Sequence, residues 1–344
     1  MRPCKVRRNP ALNPEVNFLQ AFRDKEVLIT GGLGFMGSNL AAKLVKLGAC
    51  VTLIDSLIPE YGGNPFNIDS IRREVVVNIS DVRDEHSMQY LVKGKHYLFN
   101  LAGQTSHMDS MADPYTDLEI NCRAQLSILE ACRKQNPEIK IVFASTRQVY
   151  GKPDYLPVDE KHLVRPVDVN GINKMAGECY HILYNNVYGI RSCALRFTNT
   201  YGPRMRVKDA RQTFLGIWIK LLVEGKPFEV WGGDQLRDFS YVDDAVDALL
   251  LAAESDAVNG QVCNLGGQDV ISLSGLADLL LEINGGGDFK VMSYPASRKT
   301  IDIGDYYADS GLFQDLVGWK PSVDLREGLS KTLSFYRMNL EHYL

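Results

Sequence analysis

The sequence predicts an α/β protein, a doubly wound parallel sheet with a smaller C-terminal α/β lobe. Three observations carry that reading. Short runs rich in Val, Ile and Phe alternate with stretches of helical spacing through residues 26–197. The runs are apolar along their length, as strands covered on both faces are. A glycine-rich turn, "TGGLGFMGS" at 30–38, joins the first run to the first helix.

The elements follow in order. "EVLIT" (26–30) reads as a buried strand ending at glycines, and "FMGSNLAAKLVKLG" (35–48) has helical spacing and a glycine stop. "CVTLID" (50–55) closes a strand–helix–strand unit. "EVVVN" (74–78), "YLFNLAG" (97–103) and "KIVFAST" (140–146) read as further strands, with helices at 84–92 and 115–135 between them. A long helix from 170 to 188 leads into "RSCALRF" (191–197). After residue 200 the regularity fades and Gly becomes more frequent, so the second lobe is placed there and completed by 270–344. Residues 1–23 contain three prolines and no periodicity, and predict a surface arm.

Bulk composition excludes several classes. The chain has 344 residues, 45% hydrophobic and 23% charged, with a formal net charge of -4. No basic excess points to nucleic acid, and no polybasic run points to a membrane surface. The longest apolar runs, such as "ALLLAA" (248–253), are too short to span a bilayer. "MRPCKVRRNP" lacks the apolar run and small-residue cleavage site of a secretory signal. The seven cysteines are scattered without a C-x-x-C pair, which predicts reduced thiols in a cytoplasmic protein. The six histidines show no metal-ligand spacing, so no metal is expected.

The glycine turn has the chemistry of a dinucleotide site. Gly31, Gly34 and Gly37 stand at G-x-x-G-x-x-G spacing, with Phe35 and Met36 opening the helix. Lacking side chains, the glycines let a pyrophosphate rest on the helix N-terminus, where free N–H groups and the dipole favour anions. Asp55 ends the second strand. A carboxylate there hydrogen-bonds the adenosine ribose and repels a 2′-phosphate, which predicts NAD rather than NADP.

Further motifs follow in order: "SDVRD" (80–84), "NLAGQ" (100–104), "STRQVYG" (145–151), "NGINKMAGE" (170–178), "LRFTNTYGP" (195–203), "RDFSYVDD" (237–244) and "NLGG" (264–267). With these motifs, from about residue 26 to 335, the chain resembles the extended short-chain dehydrogenase/reductases that act on nucleotide-sugars: epimerases, 4,6-dehydratases and decarboxylases. The resemblance implies a Rossmann NAD-binding domain at 24–197, with 238–268 returning to it, and a nucleotide-sugar-binding lobe at 198–237 and 269–344. It places Asp81 and Val82 at the adenine and Leu101, Ala102 and Gly103 along the cofactor's centre. Asn121 becomes a structural asparagine near the cofactor strands. Gln104 lies by the substrate, Thr146 meets the sugar 4-hydroxyl, and Lys174 holds the nicotinamide ribose. Asn199 and Arg237 reach the diphosphate, which a guanidinium fork grips with two charge-assisted hydrogen bonds. Arg298, with Lys299, completes the nucleotide pocket. Trp231 either stacks there or joins the core. The resemblance also implies a homodimer through helices at 115–135 and 172–188, and "LSILEACRK" has an apolar stripe suited to such packing.

Two departures from the family pattern bear on the reaction. Where the family has a catalytic tyrosine four residues before the lysine, this chain has Asn170, and Asn173 stands where a serine is common. Asparagine cannot serve as a base. Lys174, Thr146 through water, Tyr150 and His107 are the other candidates for proton transfer. Arg147 and Gln148 occupy the places of the acidic pair that dehydratases use to eliminate water. Neither is a general acid or base near neutrality, which ranks epimerisation or simple dehydrogenation above dehydration and decarboxylation. Arg147 is a cation suited to an acidic sugar or a phosphate. The expectation is an NAD-dependent epimerase-type enzyme acting on a nucleoside-diphosphate sugar, at C4 or else C2. The alternatives are a dehydratase or dehydrogenase with an atypical base, and a catalytically silent NAD and nucleotide-sugar binder.

Overall fold

The computed structural model describes residues 20–294 and 303–344. Residues 1–19 of the expected arm lie outside these, as do Arg298 and Lys299. The strands are β1 (Glu26–Thr30), β2 (Cys50–Asp55), β3 (Val75–Ile79), β4 (Tyr97–Asn100), β5 (Lys140–Thr146), β6 (Ser192–Phe197), β7 (Asn199–Tyr201), β8 (Phe228–Trp231), β9 (Leu236–Tyr241), β10 (Val262–Leu265), β11 (Val270–Ser272) and β12 (Phe289–Met292). The helices that matter for the site are α1 (Phe35–Lys46), α2 (Glu85–Leu91), α3 (His107–Ala112), α4 (Pro114–Leu118), α5 (Ala124–Gln135), α6 (Val169–Tyr188), α7 (Phe214–Val223) and α8 (Val242–Glu254).

Seven strands form one sheet in the order β10-β6-β5-β4-β1-β2-β3, every pair parallel. Helices cover both faces, as an all-parallel sheet requires. On one face Leu40, Ala41 and Leu44 of α1 share a core with Val246, Leu249 and Leu250 of α8. On the other, Met88 of α2, Ile128 and Leu129 of α5 and Tyr184 of α6 pack together. The stripe in "LSILEACRK" therefore faces its own sheet: Ile128, Leu129 and Cys132 are 0% exposed, so these side chains are not free for a partner. The helix expected at 115–135 is present as one unbroken stretch, α4 passing through a π-helical turn at Glu119–Arg123 into α5. The smaller sheet β11-β9-β7 and the pair β12-β8 lie in the second half of the chain.

Strand order reverses between β1 and β4, and the crevice outside the strand ends at such a switch point is where α/β sheets bind ligands. Thr30 joins these two ends. Its hydroxyl donates to Asn100 Oδ1 at 2.9 Å and accepts from the Leu101 and Ala102 amides at 3.0 and 3.1 Å. Beside them, α6 starts at Asp168, whose Oδ1 accepts from Gly171 N at 2.7 Å, and stops at Gly189 in the left-handed region. Glu178 on α6 binds Arg196 of β6 through two hydrogen bonds, at 2.8 and 2.7 Å. This buried pair fixes the helix against the sheet.

Candidate active site

The glycine turn and the ends of β1, β2 and β4 enclose a cavity of about 130 Å³. Gly31, Gly34, Phe35, Met36, Gly37, Asp55, Asp81, Val82, Leu101, Ala102 and Gly103 all line it. Gly31 has φ +67°, which favours glycine. A Cβ on Gly37 would stand 2.2 Å from Gly31 O, so a side chain there forces the turn open. α1 has no side-chain cap and no acidic residue in its first turn. Its first amides are thus left for an anion, the arrangement a pyrophosphate needs. Asp55 accepts from the Leu33 and Leu57 amides at 3.0 and 2.9 Å. Burial lifts its carboxyl above the usual range against those two bonds. Two amide bonds still leave its oxygens lone pairs for ribose hydroxyls. Gly37→Ala is expected to abolish dinucleotide binding by titration calorimetry; unchanged affinity would contradict this account of the turn.

A larger cavity of about 770 Å³ adjoins the first, the two sharing Phe35, Met36, Leu101, Thr105 and Gln212. Gln104, Thr146, Arg147, Asn170, Lys174, Asn199 and Arg237 line it, so the candidate residues among those described converge on one continuous cleft. Thr146 caps a 3-10 turn by accepting from Gln148 N at 3.3 Å. Arg147 donates to Asn199 Oδ1 at 3.2 Å and lies over the Tyr306 ring at 5.2 Å. Asn199 donates to Asp238 O at 2.9 Å. Arg237 is held by the carbonyls of Leu236, at 2.8 Å, and Gly304. Trp231 is half-buried on the cavity wall, its indole donating to Glu229 at 3.1 Å, and is not a core residue.

Lys174 is 6% exposed and donates to Ala144 O at 3.1 Å. Burial draws its ammonium down to about 8, opposed by the charges of Asp117 and Glu178. Asn170 has both amide hydrogens engaged, donating to Gln104 O at 2.8 Å and Asp117 Oδ2 at 3.1 Å. Asn121 meets the same two oxygens at 2.9 and 3.0 Å, and Asn173 donates to Asp117 Oδ1 at 2.8 Å. Three asparagines thus hold one fully buried carboxylate under the cleft. Two buried oxygens there, Gln104 Oε1 and Asn121 Oδ1, have no hydrogen-bond partner. A Cβ on Gly103 would stand 2.9 Å from both Asn121 Oδ1 and Lys174 Nζ. An ammonium beside a bare glycine suits a hydroxyl-bearing ligand, as a nicotinamide ribose is.

Tyr150 is removed from the base candidates. It is 0% exposed, donates to Asn264 Oδ1 at 2.7 Å and accepts from Arg196 at 2.6 Å. Burial pushes its hydroxyl up to about 12 despite the arginine. Sequence reasoning missed Asp117, Asp168 and Asp238. Asp117 stands one helical turn before Asn121, a spacing that does signal contact. Asp168 is legible as a helix cap only. Asp238 lies under the Asn199 contact, its carboxyl pushed up to about 6 chiefly by burial and its Oδ1 unpartnered.

A model described as the NAD dependent epimerase/dehydratase family matches residues 27–266. A putative UDP-glucose 4-epimerase of Methanocaldococcus jannaschii is 33% identical over 314 residues, covering 91% of this chain and 99% of that protein. UDP-glucuronic acid decarboxylase 1 of Xenopus tropicalis is 30% identical, covering 96% and 76%. Among solved structures, the UDP-glucose 4-epimerase of Thermotoga maritima with UDP-glucose superposes with a TM-score of 0.83 at 30% identity, covering 92% and 99%.

Proposed function

The chain belongs to the NAD dependent epimerase/dehydratase family, and from that premise we propose that it inverts one carbinol carbon of a nucleoside-diphosphate sugar through transient oxidation. It is an NAD-dependent enzyme of nucleotide-sugar chemistry. C4 is the proposed carbon, because Thr146 matches the residue that meets that hydroxyl, and C2 is the alternative. The observation that carries the reading is the continuity of the cleft. The cavity on the glycine turn opens, at Phe35, Met36 and Leu101, into a chamber walled by Thr146, Lys174, Asn199 and Arg237.

The roles follow from position. The α1 amides receive the pyrophosphate, Asp55 the adenosine ribose, and Asp81 and Val82 border the adenine. Lys174, whose Nζ stands beside Gly103, holds the nicotinamide ribose. When bound, NAD supplies the hydride acceptor of the oxidative half and the donor of the return. Arg237 and Asn199 grip the diphosphate and Thr146 orients the sugar. Arg147 and Gln148 in place of an acidic pair argue against elimination of water.

A homodimer is part of the proposal. Ile172, Leu183, Val187 and Tyr188 are exposed large side chains on α6, and Leu118 ends α4 beside it. The reading also includes a cytoplasmic setting: the six cysteines among the described residues are all free thiols.

A second reading draws on one observation. Asn170 is committed to structural hydrogen bonds, which also suits a silent binder. NMR of a nucleotide-sugar panel incubated with the NAD-loaded protein decides between them. A new epimer is expected; a broad panel returned bound but unchanged would overturn the enzymatic reading.

A further inference from the structure

The cleft that lacks a tyrosine at 170 contains a carboxylate–histidine pair. Asp168 Oδ2 lies 2.9 Å from His107 Nδ1. The Asp168 side chain is 0% exposed, whereas that of His107 is 35% exposed and lines the larger cavity. The carboxylate cannot turn away, because its other oxygen caps α6 at Gly171 N, 2.7 Å away. An acceptor at Nδ1 keeps the proton there and leaves the Nε2 lone pair unprotonated, the geometry of a histidine general base.

The pair is joined to the predicted sugar contact by short links. Gln148 Nε2 lies 3.1 Å from each His107 ring nitrogen and 3.4 Å from Asp168 Oδ2, so its amide stands at the Nε2 lone pair that a substrate hydroxyl would take over. The Gln148 backbone amide donates to Thr146 Oγ1. Among the described residues, Arg147 acts on Asp168 through space, and Arg211, paired with Asp109 at 2.9 Å, lines the same cavity as His107. Burial raises the Asp168 carboxyl, but the bond and charge of His107, the Gly171 amide and Arg147 together hold it below its usual range. It is therefore an anion at neutral pH. Lys174 lines the same cavity, but the proposal above assigns its ammonium to the cofactor's ribose, and it also donates to Ala144 O at 3.1 Å. Tyr150 is enclosed.

We propose that His107, positioned by Asp168, is the proton acceptor and donor of this enzyme in place of a tyrosine. The inference rests on the epimerase-type reading above. In the oxidative half, the carbinol O–H bond breaks and an N–H bond forms at His107 Nε2. With NAD bound as hydride acceptor, the oxygen's electron pair would become the second bond of a ketone. In the return, the ketone, turned over in the chamber, would take the hydride on its opposite face and Nε2 would give the proton back to oxygen. Asp168 is a positioning residue: it fixes the tautomer and stabilises the imidazolium.

The test uses the full-length NAD-loaded protein and two variants. His107→Gln keeps a polar group without a titratable nitrogen, and Asp168→Asn keeps a competent helix cap without the charge. Both are expected to lower kcat by about 10²–10⁴-fold, the usual share of general acid–base catalysis, with KM and NAD affinity little changed. The low-pH limb of kcat/KM disappears in His107→Gln and shifts in Asp168→Asn. Independently of turnover, ¹⁵N side-chain NMR of the wild type is expected to show His107 as the Nδ1–H tautomer, a preference lost in Asp168→Asn. An active wild type with His107→Gln within a few-fold of it, or an Nε2–H tautomer, would overturn the dyad and leave the epimerase reading intact. A wild type silent on every sugar would overturn both, which separates the two failures.

Discussion

Lys174→Met leaves a folded protein whose turnover falls by about 10²–10³-fold, the loss expected when one preorganised charge is removed from a site closed to water. Methionine preserves the length and packing of the side chain but removes the ammonium that stands beside Gly103 and Asn121 Oδ1. The wild-type ammonium is drawn down to about 8 by burial. Activity that needs the charge is therefore expected to decline as pH rises through about 8. The stability sign follows from the same direction. Between about pH 8 and lysine's ordinary value the unfolded chain holds this proton and the folded protein does not. Stability contributed by Lys174 thus rises with pH across that window, and the methionine variant lacks the rise. Urea titrations at several pH values, alongside turnover of the sugar identified by NMR, check both halves. A variant with wild-type turnover would remove Lys174 from the cofactor's ribose.

Glu178→Gln carries the largest expected effect on folding. Arg196 and Glu178 are 6% and 3% exposed, and the guanidinium meets the carboxylate through two nitrogens. Ser145 donates to the same carboxylate and the Tyr150 hydroxyl accepts from the same guanidinium. Glutamine offers one acceptor oxygen and no charge, so the guanidinium is left buried without a counter-ion. Breaking such a pair destabilises by about 3–5 kcal/mol. Because β5, β6 and α6 meet at this pair, the variant is also expected to loosen the end of α6 that carries Asn170 and Lys174. Denaturant unfolding measures the first effect; a loss below about 1 kcal/mol, typical of exposed pairs, would show that the pair is not isolated from water.

Local chemistry made the cofactor half legible. Glycine spacing, a helix start and a strand-ending aspartate are neighbours along the chain, and the fold keeps them together as Gly31, Gly37 and Asp55. The buried strands were equally plain, since a sheet covered on both faces leaves long apolar runs. The short strands β7 and β11, three residues each, are too brief to carry a period. The stripe in α5 shows a different limit: apolar spacing says that a face is buried, not whether by its own sheet or by a second copy. Most of what sequence could not show in the sugar half depends on distant contacts. Asp168 and His107 are brought together only because α3 and the start of α6 flank one cleft, and each residue alone reads as a cap or a surface polar group. The three asparagines around Asp117 likewise come from two helices that the order of residues does not align.

Inversion through transient oxidation, by a cofactor that stays in place, is the proposal to test first. The direct measurement is the fate of deuterium at the reacting carbon of the nucleotide-sugar. The account predicts that the inverted product keeps the label in ordinary water, with no reduced cofactor released. Loss of the label to solvent, or a labelled sugar returned uninverted under conditions where it binds, would contradict it.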